Sequence, residues 1–142
     1  MIAITIEVSA PVNPTEDLSK VQAAIENIFT GLEFQLQEME GMKTRLVGSG
    51  NHESLIKLHE LIRCRKILDT ARTNIRFKGN IVTFRLNKQA AFVGKVSFPP
   101  GDESLGSIWV EIFAQSPDEA MKVVDWLAPP TEEGKPQFEI EL

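Results

Sequence analysis

The hydrophobic residues at the start of the chain alternate with polar ones, which is typical of a β-strand with one buried face. Isoleucine or valine occupies every second position of 2–8, and Thr5 and Glu7 lie between them. Because side chains on a strand point alternately to opposite sides, the apolar residues share one face. The same alternation predicts strands over 81–86 and 107–114.

Two segments combine the features that begin an α-helix. Residues 13–16 (Asn-Pro-Thr-Glu) and 116–119 (Ser-Pro-Asp-Glu) each offer a capping side chain, a proline at the first helical position and a carboxylate after the cap. Hydrophobic residues at steps of three and four follow both segments. The sequence therefore predicts helices over 14–29 and 117–128.

A third and longer helix is predicted over 51–77, where small and apolar residues recur at helical spacing. They are Leu61, Cys64, Leu68, Ala71 and Ile75. Cys64 lies within this stripe, so we expect its thiol to be buried. A single cysteine cannot form an internal disulfide, and no stretch is apolar enough for a membrane span or a signal peptide. These features predict a cytoplasmic protein.

Shorter patterns complete the predicted order of elements. The stretches 32–39 and 42–47 predict a β-hairpin, 87–92 predicts one helical turn or a tight connector, and 95–98 predicts a short strand. The order βαββαβ, followed by ββα, indicates the α+β class, with a mostly antiparallel sheet covered by three helices. A chain of 142 residues forms one core, so we treat 1–142 as a single domain.

The C-terminal residues return to strand-like alternation. Phe138, Ile140 and Leu142 form an apolar row between Glu139 and Glu141. Such a short segment cannot bury its own apolar face, and exposed sheet edges accept further strands. We therefore expect a last strand that docks on a sheet, either of the same copy or of a partner copy in a homodimer.

The net charge of −5 hides an uneven distribution of charged residues. Residues 43–95, the basic segment, contain twelve basic and three acidic side chains. Residues 1–42 contain one basic and seven acidic side chains, and 96–142 contain two basic and ten acidic. Clustered lysine and arginine create the local positive field that nucleic acid requires, even in an acidic protein. The alternative is that the basic segment pairs with the acidic first and last thirds of the chain within the fold.

Sequence signals for metal binding or catalysis are weak. His52 and His59 are too far apart on one helix face to chelate a metal as an i, i+4 pair would. Residues 48–51 (Gly-Ser-Gly-Asn) could present backbone N–H groups to a phosphate, but turn and capping chemistry explains them equally well. Residues 2–8 and 43–48 lack the aromatic side chains on which RNA-recognition motifs stack bases. We expect a protein that is not an enzyme and that needs no cofactor or metal.

Three stretches of the chain resemble a known protein family. They are residues 84–95 (Phe-Arg-Leu-Asn-Lys-Gln-Ala-Ala-Phe-Val-Gly-Lys), 49–50 (Ser-Gly) and 105–107 (Leu-Gly-Ser). With them, the whole chain resembles an uncharacterised family of archaeal proteins that carries an RNA-binding-like label. That family is similar in fold to the large-subunit ribosomal protein that binds 5S ribosomal RNA. The resemblance implies a ribosomal-protein-like α+β fold and a role with RNA, and it implies no catalytic residues.

The basic segment and the resemblance together predict a non-enzymatic RNA-binding protein whose partner is structured RNA. We expect phosphate contacts from Arg63, Lys66, Arg85, Lys88 and Lys95, and contacts to sugar or base edges from Asn87 and Gln89. The alternative is a protein-interaction or oligomerisation module without RNA binding. A third hypothesis is a small-ligand regulatory domain or an enzyme whose site the sequence does not reveal. A continuous basic face would favour RNA, interleaved charges would favour the interaction module, and a deep apolar pocket would favour the third hypothesis.

Overall fold

The computed structural model describes residues 3–39, 43–99 and 106–142, and its centre is a six-stranded antiparallel sheet. The strands are β1 (Thr5–Val12), β2 (Glu33–Met39), β3 (Lys43–Asn51), β4 (Arg76–Lys78), β5 (Ile81–Leu86) and β6 (Ile108–Phe113). They pair in the order β2-β3-β1-β6-β5-β4, so the N-terminal strand lies in the interior of the sheet. A separate small hairpin joins β7 (Thr131–Glu132) to β8 (Lys135–Pro136).

Helices pack against the sheet, which confirms the predicted α+β class. Those of the described residues are α1 (Leu18–Glu26), α2 (Ile56–Cys64), α3 (Leu68–Asn74), α4 (Lys88–Phe92) and α5 (Pro117–Leu127), and a 3-10 turn (His52–Leu55) precedes α2. Ser116 caps α5 as predicted, because its Oγ accepts a hydrogen bond from the Glu119 amide. Within the described ranges, no helix has the length and apolar character needed to cross a membrane.

Alternation along the strands gives the sheet two different faces. Ile6, Val8 and Ala10 of β1 are fully buried, and the core joins this covered face to the buried sides of the helices. The opposite side, which we call the open face, carries polar and aromatic residues. Cross-strand pairing places on it Arg45 and Ser49 of β3, Glu7 and Ser9 of β1, Trp109 and Glu111 of β6, Thr83 and Arg85 of β5, and Arg76 of β4.

The first predicted helix begins later than expected. α1 starts at Leu18, and the Asp17 side chain is its N-cap. Asn13 and Glu16 form a turn instead, since Oε1 of Glu16 accepts hydrogen bonds from the backbone and side-chain nitrogens of Asn13. Residues 13–16 therefore form a turn before α1, and the helix begins about one turn later than their capping pattern predicts.

The predicted long helix over 51–77 is wrong, because the chain breaks between α2 and α3. Lys66 adopts a φ of 56°, a left-handed conformation that a right-handed helix cannot contain. The buried side of α2 is formed by Leu58 and Ile62. Cys64 therefore points away from the core and is exposed, so the expected burial of its thiol is wrong as well.

The segment 48–51 ends β3, and Asn51 caps the 3-10 turn that leads into α2, because its Oδ1 accepts a hydrogen bond from the Glu53 amide at 3.0 Å. The backbone of the segment pairs with β1, so the strand and the Asn51 cap account for this segment, as the turn and capping alternative expects. A Cβ on Gly50 would clash with the side chain of Ser54 and would lie 2.8 Å from Cδ2 of Leu32. Glycine is needed here because the 3-10 turn packs closely on the strand.

Two predicted strands are absent from the described residues. Residues 95–98 run alongside β5 without strand structure, although the Asn87 amide donates to the Ser97 carbonyl. No strand follows β8 either, and the tail packs as an irregular segment on its own chain. Ile140 and Leu142 contact the core, whereas Phe138 is 41% exposed.

Candidate nucleic-acid interface

The alternation of β6 places a tryptophan on the open face. Ile108, Val110 and Ile112 are fully buried, so Trp109 points to the other side of the sheet. The Trp109 side chain is 39% exposed. A large aromatic ring that remains accessible on a sheet is a surface on which a planar ligand can stack.

An arginine lies against this tryptophan. Arg85 is the cross-strand partner of Trp109 on β5, and its guanidinium carbon lies 5.3 Å from the centroid of the indole ring. This is the geometry of a cation–π contact, which aligns a positive charge with an aromatic face. The two side chains border a depression of about 300 Å³, which is lined by Asn74, Arg76, Thr83, Phe84, Arg85, Pro99 and Trp109.

A row of charged and polar residues runs across the open face beside Trp109. Glu7, Glu111, Thr83 and Arg76 are successive cross-strand partners on β1, β6, β5 and β4. Glu111 lies two positions after Trp109 on the same strand and face. The row therefore changes from two adjacent carboxylates to a hydroxyl and then to a guanidinium.

A second arginine approaches from the other side of Trp109. Ser9 is the β1 partner of Trp109, and Nη2 of Arg45 donates a hydrogen bond to the Ser9 hydroxyl. Ser9 is itself buried. The tryptophan is thus flanked by Arg85 on β5 and by the Arg45–Ser9 pair on β3 and β1.

Arg63, a predicted phosphate ligand, is engaged in contacts within the fold. Its guanidinium donates to the carbonyl oxygens of Trp126 and Leu127 at 2.9 and 3.0 Å. It also forms a two-bonded ion pair with the carboxylate of Glu139. Arg63 therefore caps the C-terminal end of α5 and holds the C-terminal tail.

Lys88 and Asn87 also make structural contacts at the start of α4. The Lys88 side chain is only 7% exposed, and its Nζ donates to the carboxylate of Glu16 and to the carbonyl of Pro11. Asn87 is the N-cap of α4, because its Oδ1 accepts a hydrogen bond from the Ala90 amide at 2.7 Å. Both residues fix the local fold.

The other predicted RNA contacts lie on different parts of the surface. Lys66, Gln89 and Lys95 are exposed, and Arg85 is half-buried on the open face. Lys66 lies at the break between two helices, whereas Gln89 and Lys95 lie in and after α4. The seven predicted residues do not form one continuous surface, and their contacts with RNA stay predictions.

The basic segment is partly neutralised within the fold. Among the described residues, three ion pairs join it to the acidic thirds of the chain: Arg63 with Glu139, Arg72 with Asp125, and Lys88 with Glu16. The alternative interpretation of the charge distribution is therefore correct for these three cations. Other cations of the basic segment lie on the open face, namely Arg45, Arg76 and Arg85, or are exposed, as Lys66 and Lys95 are.

A second depression lies between α1 and α4. It has a volume of about 340 Å³ and is lined by residues such as Val21 and Phe92. The Lys88 and Glu16 side chains in its wall are paired with each other. In the part of the chain that the structure describes, no group of three or more histidine, cysteine or acidic residues could hold a metal ion.

Comparison with known proteins identifies relatives along nearly the whole chain. A family model described as RNA binding matches residues 5–114. A UPF0201 protein of Methanosarcina acetivorans is 44% identical over 152 residues, which cover 98% of this chain and 93% of that protein. The chain belongs to the UPF0201 family. A UPF0201 protein of Methanopyrus kandleri is 46% identical over 139 residues, covering 91% of this chain and 87% of the relative.

Solved structures of the UPF0201 family share the fold. The crystal structure of the UPF0201 protein from Methanococcus jannaschii superimposes with a TM-score of 0.82 at 36% identity, covering 96% of this chain and 99% of that chain. The archaeal family of the sequence analysis and its RNA-binding description are thereby confirmed. All six strands of the central sheet lie within the segment 5–114 that the RNA-binding family model matches, whereas α5 and the tail lie outside it.

Trp109, Arg76 and Arg45 are not among the RNA contacts predicted from the sequence. The sequence does contain a signal for Trp109, because the alternation of β6 places it on the face opposite to Ile108, Val110 and Ile112. Its arginine neighbours come from β3, β4 and β5, and their proximity depends on the strand order. Pattern analysis of single strands does not reveal such a cluster.

Proposed function

We propose that this UPF0201 protein binds RNA without catalysing a reaction, and that it does so through the open face of its sheet. The observation that carries the proposal is the pair formed by Trp109 and Arg85 at the border of a depression of about 300 Å³. The match of the RNA-binding family model to the segment containing the sheet supports the same surface.

Trp109 is suited to stack an RNA base. Bases stack on aromatic rings and on arginine guanidinium planes, and each stacked base contributes about 1–3 kcal/mol to binding. The bases of a duplex are already stacked on their neighbours, so a protein aromatic ring competes poorly for them. The proposed ligand is therefore an unpaired segment, such as a loop or bulge of a structured RNA.

The arginines of the open face supply the electrostatic part of the binding. Arg45, Arg76 and Arg85 lie on this face, and Lys78 lies at its edge on β4. Glu7 and Glu111 repel phosphates, so the RNA backbone is expected to pass over β4 and β5. Contacts with three or four phosphates of a single strand give a slope of log K against log salt of about −2 to −3.

The remaining predicted residues divide into two groups. Lys66, Gln89 and Lys95 are exposed and are proposed as peripheral contacts. For Arg63, Asn87 and Lys88 we propose structural roles, because their polar atoms already bond within the fold. Homodimer formation and likeness to the ribosomal protein that binds 5S RNA stay separate predictions.

Fluorescence anisotropy with short labelled single-stranded RNAs, hairpins with open loops and a blunt duplex tests the proposal. We expect the single strands and loops to bind and the duplex to bind more weakly. Trp109→Ala should weaken binding by about tenfold or more, as loss of a stacked base implies. Phe92→Ala is the matched control, since Phe92 is also exposed, at 46%, but lies on α4.

The outcomes separate the functional hypotheses. Equal weakening by Trp109→Ala and Phe92→Ala would remove the open face as the site. Absence of binding to every RNA at tens of micromolar would remove the RNA hypothesis altogether. The protein-interaction module would then become the leading interpretation.

A further inference from the structure

The polar row beside Trp109 accepts hydrogen bonds at one end and donates them at the other, so it can distinguish ligands by the order of their donors and acceptors. Glu111 can only accept hydrogen bonds when ionised, and Arg76 can only donate them. Thr83 lies between them and is the direct cross-strand partner of both. Two strand spacings separate the backbones of Glu111 and Arg76 by about 10 Å, so side chains that rise from these two positions can hydrogen-bond a base from both sides.

Guanine has the complementary polarity. Its Watson–Crick edge carries two adjacent N–H donors, and its Hoogsteen edge carries the two acceptors O6 and N7. A carboxylate can accept both donors, and arginine bonds O6 and N7 in a bidentate manner. Adenine presents a donor and an acceptor on each of these edges, and the pyrimidines lack a second recognition edge of this kind.

The position of Trp109 connects the row with the stacking surface. Glu111 lies two residues further along the same face of β6, about 7 Å away along the strand. A base stacked on Trp109 can therefore place its edges over the row of Glu111, Thr83 and Arg76. Arg76 and Thr83 line the same depression as the tryptophan, and Glu111 is the β6 neighbour of Thr83, just beyond that lining.

The adjacent carboxylates of Glu7 and Glu111 fit this interpretation. Like charges directly opposite each other in a sheet are destabilising. In natural proteins, departures from such local rules are concentrated at functional sites. Two neighbouring N–H donors would relieve the repulsion by neutralising part of the negative charge of Glu111.

We infer that the open face recognises an unpaired guanine of RNA, which stacks on Trp109 while Glu111 accepts from its N1 and N2 groups and Arg76 donates to O6 and N7. This inference rests on the RNA-binding function proposed above and adds base specificity to it. Glu111 and Arg76 are specificity-determining residues in this arrangement, whereas Trp109 contributes affinity for any base.

The test compares uridine-rich single-stranded hexamers that carry guanine, adenine, cytosine or uracil at one central position. We expect the guanine hexamer to bind about tenfold or more tightly than the others, as one or two good bidentate contacts imply. Inosine removes the N2 amino group and 7-deazaguanine removes N7. Each replacement should lose several-fold in affinity, and the two losses report on Glu111 and Arg76 separately.

Protein variants test which residues cause the preference for guanine. Glu111→Gln should abolish the preference for guanine while the all-uridine hexamer binds as well as before or better. Glu33→Gln is the matched control, because Glu33 lies in the same cross-strand row but at the β2 edge, beyond Ser49 and Glu7. It removes the same charge and should leave the preference intact.

Different results would contradict guanine recognition and RNA binding itself. Equal binding of all hexamers, still dependent on Trp109, would overturn guanine recognition and leave RNA binding in place. A guanine preference that survives Glu111→Gln would overturn the role of this residue. Competition by free GMP as strong as that of the guanine hexamer would show that a nucleotide, and not RNA, is the ligand.

Discussion

Lys88 and Glu16 form an ion pair across 2.9 Å between Nζ and Oε1, in a position where the lysine side chain is almost fully buried. The same Nζ donates to the carbonyl oxygen of Pro11 at 2.6 Å. One lysine thus ties α4 to the end of β1 and to the turn that precedes α1. Its position in the basic segment suggested an RNA contact, but its surroundings are those of an internal connection.

Replacement of Lys88 by alanine is therefore expected to affect stability. It would leave the Pro11 carbonyl without the Lys88 donor and the Glu16 carboxylate without its counter-charge, with the hydrogen bonds from Asn13 remaining. Breaking such a pair costs about 2–4 kcal/mol. Urea unfolding measures the loss. Lys95→Ala, which changes an exposed lysine, should stay within about 0.5 kcal/mol of the original protein.

RNA binding by the same variant distinguishes a structural role of Lys88 from a contact with an RNA phosphate. At salt concentrations where it remains folded, Lys88→Ala should keep the salt dependence of RNA affinity. A decrease of about one in the slope of log K against log salt would show that the lysine contacts a phosphate after all.

Much of the fold follows from local patterns. β5 and β6 lie where alternation predicts them, and β1 overlaps the predicted range 2–8 but extends to Val12. Ser116 caps α5 because capping needs only residues close in sequence. The break at Lys66 was not predictable in this way. The apolar stripe through Cys64 is in phase with a continuous helix, and only the left-handed backbone of Lys66 shows that α2 ends before it.

The candidate site was less predictable than the fold. Lys88 and Glu16 are separated by 72 positions in the sequence, so composition alone could not show that their charges meet. The same holds for Trp109, whose partners Arg85 and Ser9 belong to neighbouring strands. Sequence patterns indicate which side chains point away from the core, whereas the strand order decides which of these side chains become neighbours.

The exposure of Cys64 gives a direct test of the helix break. An exposed thiol should react with Ellman's reagent in the native protein nearly as fast as in denaturant. A thiol in the apolar stripe of an unbroken helix would be protected and would react only on unfolding. Labelling at neutral pH, with the urea-unfolded protein as reference, distinguishes these structures.

His59 should make the stability of the protein depend on pH. Its imidazole stacks on Trp126 with ring centroids 4.4 Å apart. Burial beside this ring and the positive charge of Arg63 hold the pKa of His59 below its ordinary value of 6.5, although Glu139 and Glu60 act in the opposite direction. The unfolded state therefore binds the proton more readily, and stability decreases as the pH falls below about 6.5.

His59→Phe retains an aromatic ring against Trp126 and cannot take up a proton. Between about pH 7.5 and about pH 5.5, the urea midpoint of the original protein should fall by more than that of this variant. The intrinsic fluorescence of Trp126 offers a second readout of the same titration. Identical pH dependence in both proteins would show that His59 is not the group responsible.

The C-terminal tail is expected to stabilise its own chain. Arg63 holds it through Glu139, and Ile140 and Leu142 contact the core. Glu139→Gln should cost only about 0.2–1 kcal/mol, because this carboxylate is half-exposed. A chain that ends at Pro136 loses the apolar contacts as well, so its melting temperature should fall by several degrees, at about 2–8 °C for each kcal/mol lost.

Light scattering on the full and shortened chains shows where the tail docks. Because the tail packs on the chain to which it belongs, we expect both proteins to have the same state of association. A decrease from dimer to monomer on removal of residues 137–142 would show that the tail joins two copies. An unchanged melting temperature would mean that its contacts with Arg63 and the core contribute nothing to folding.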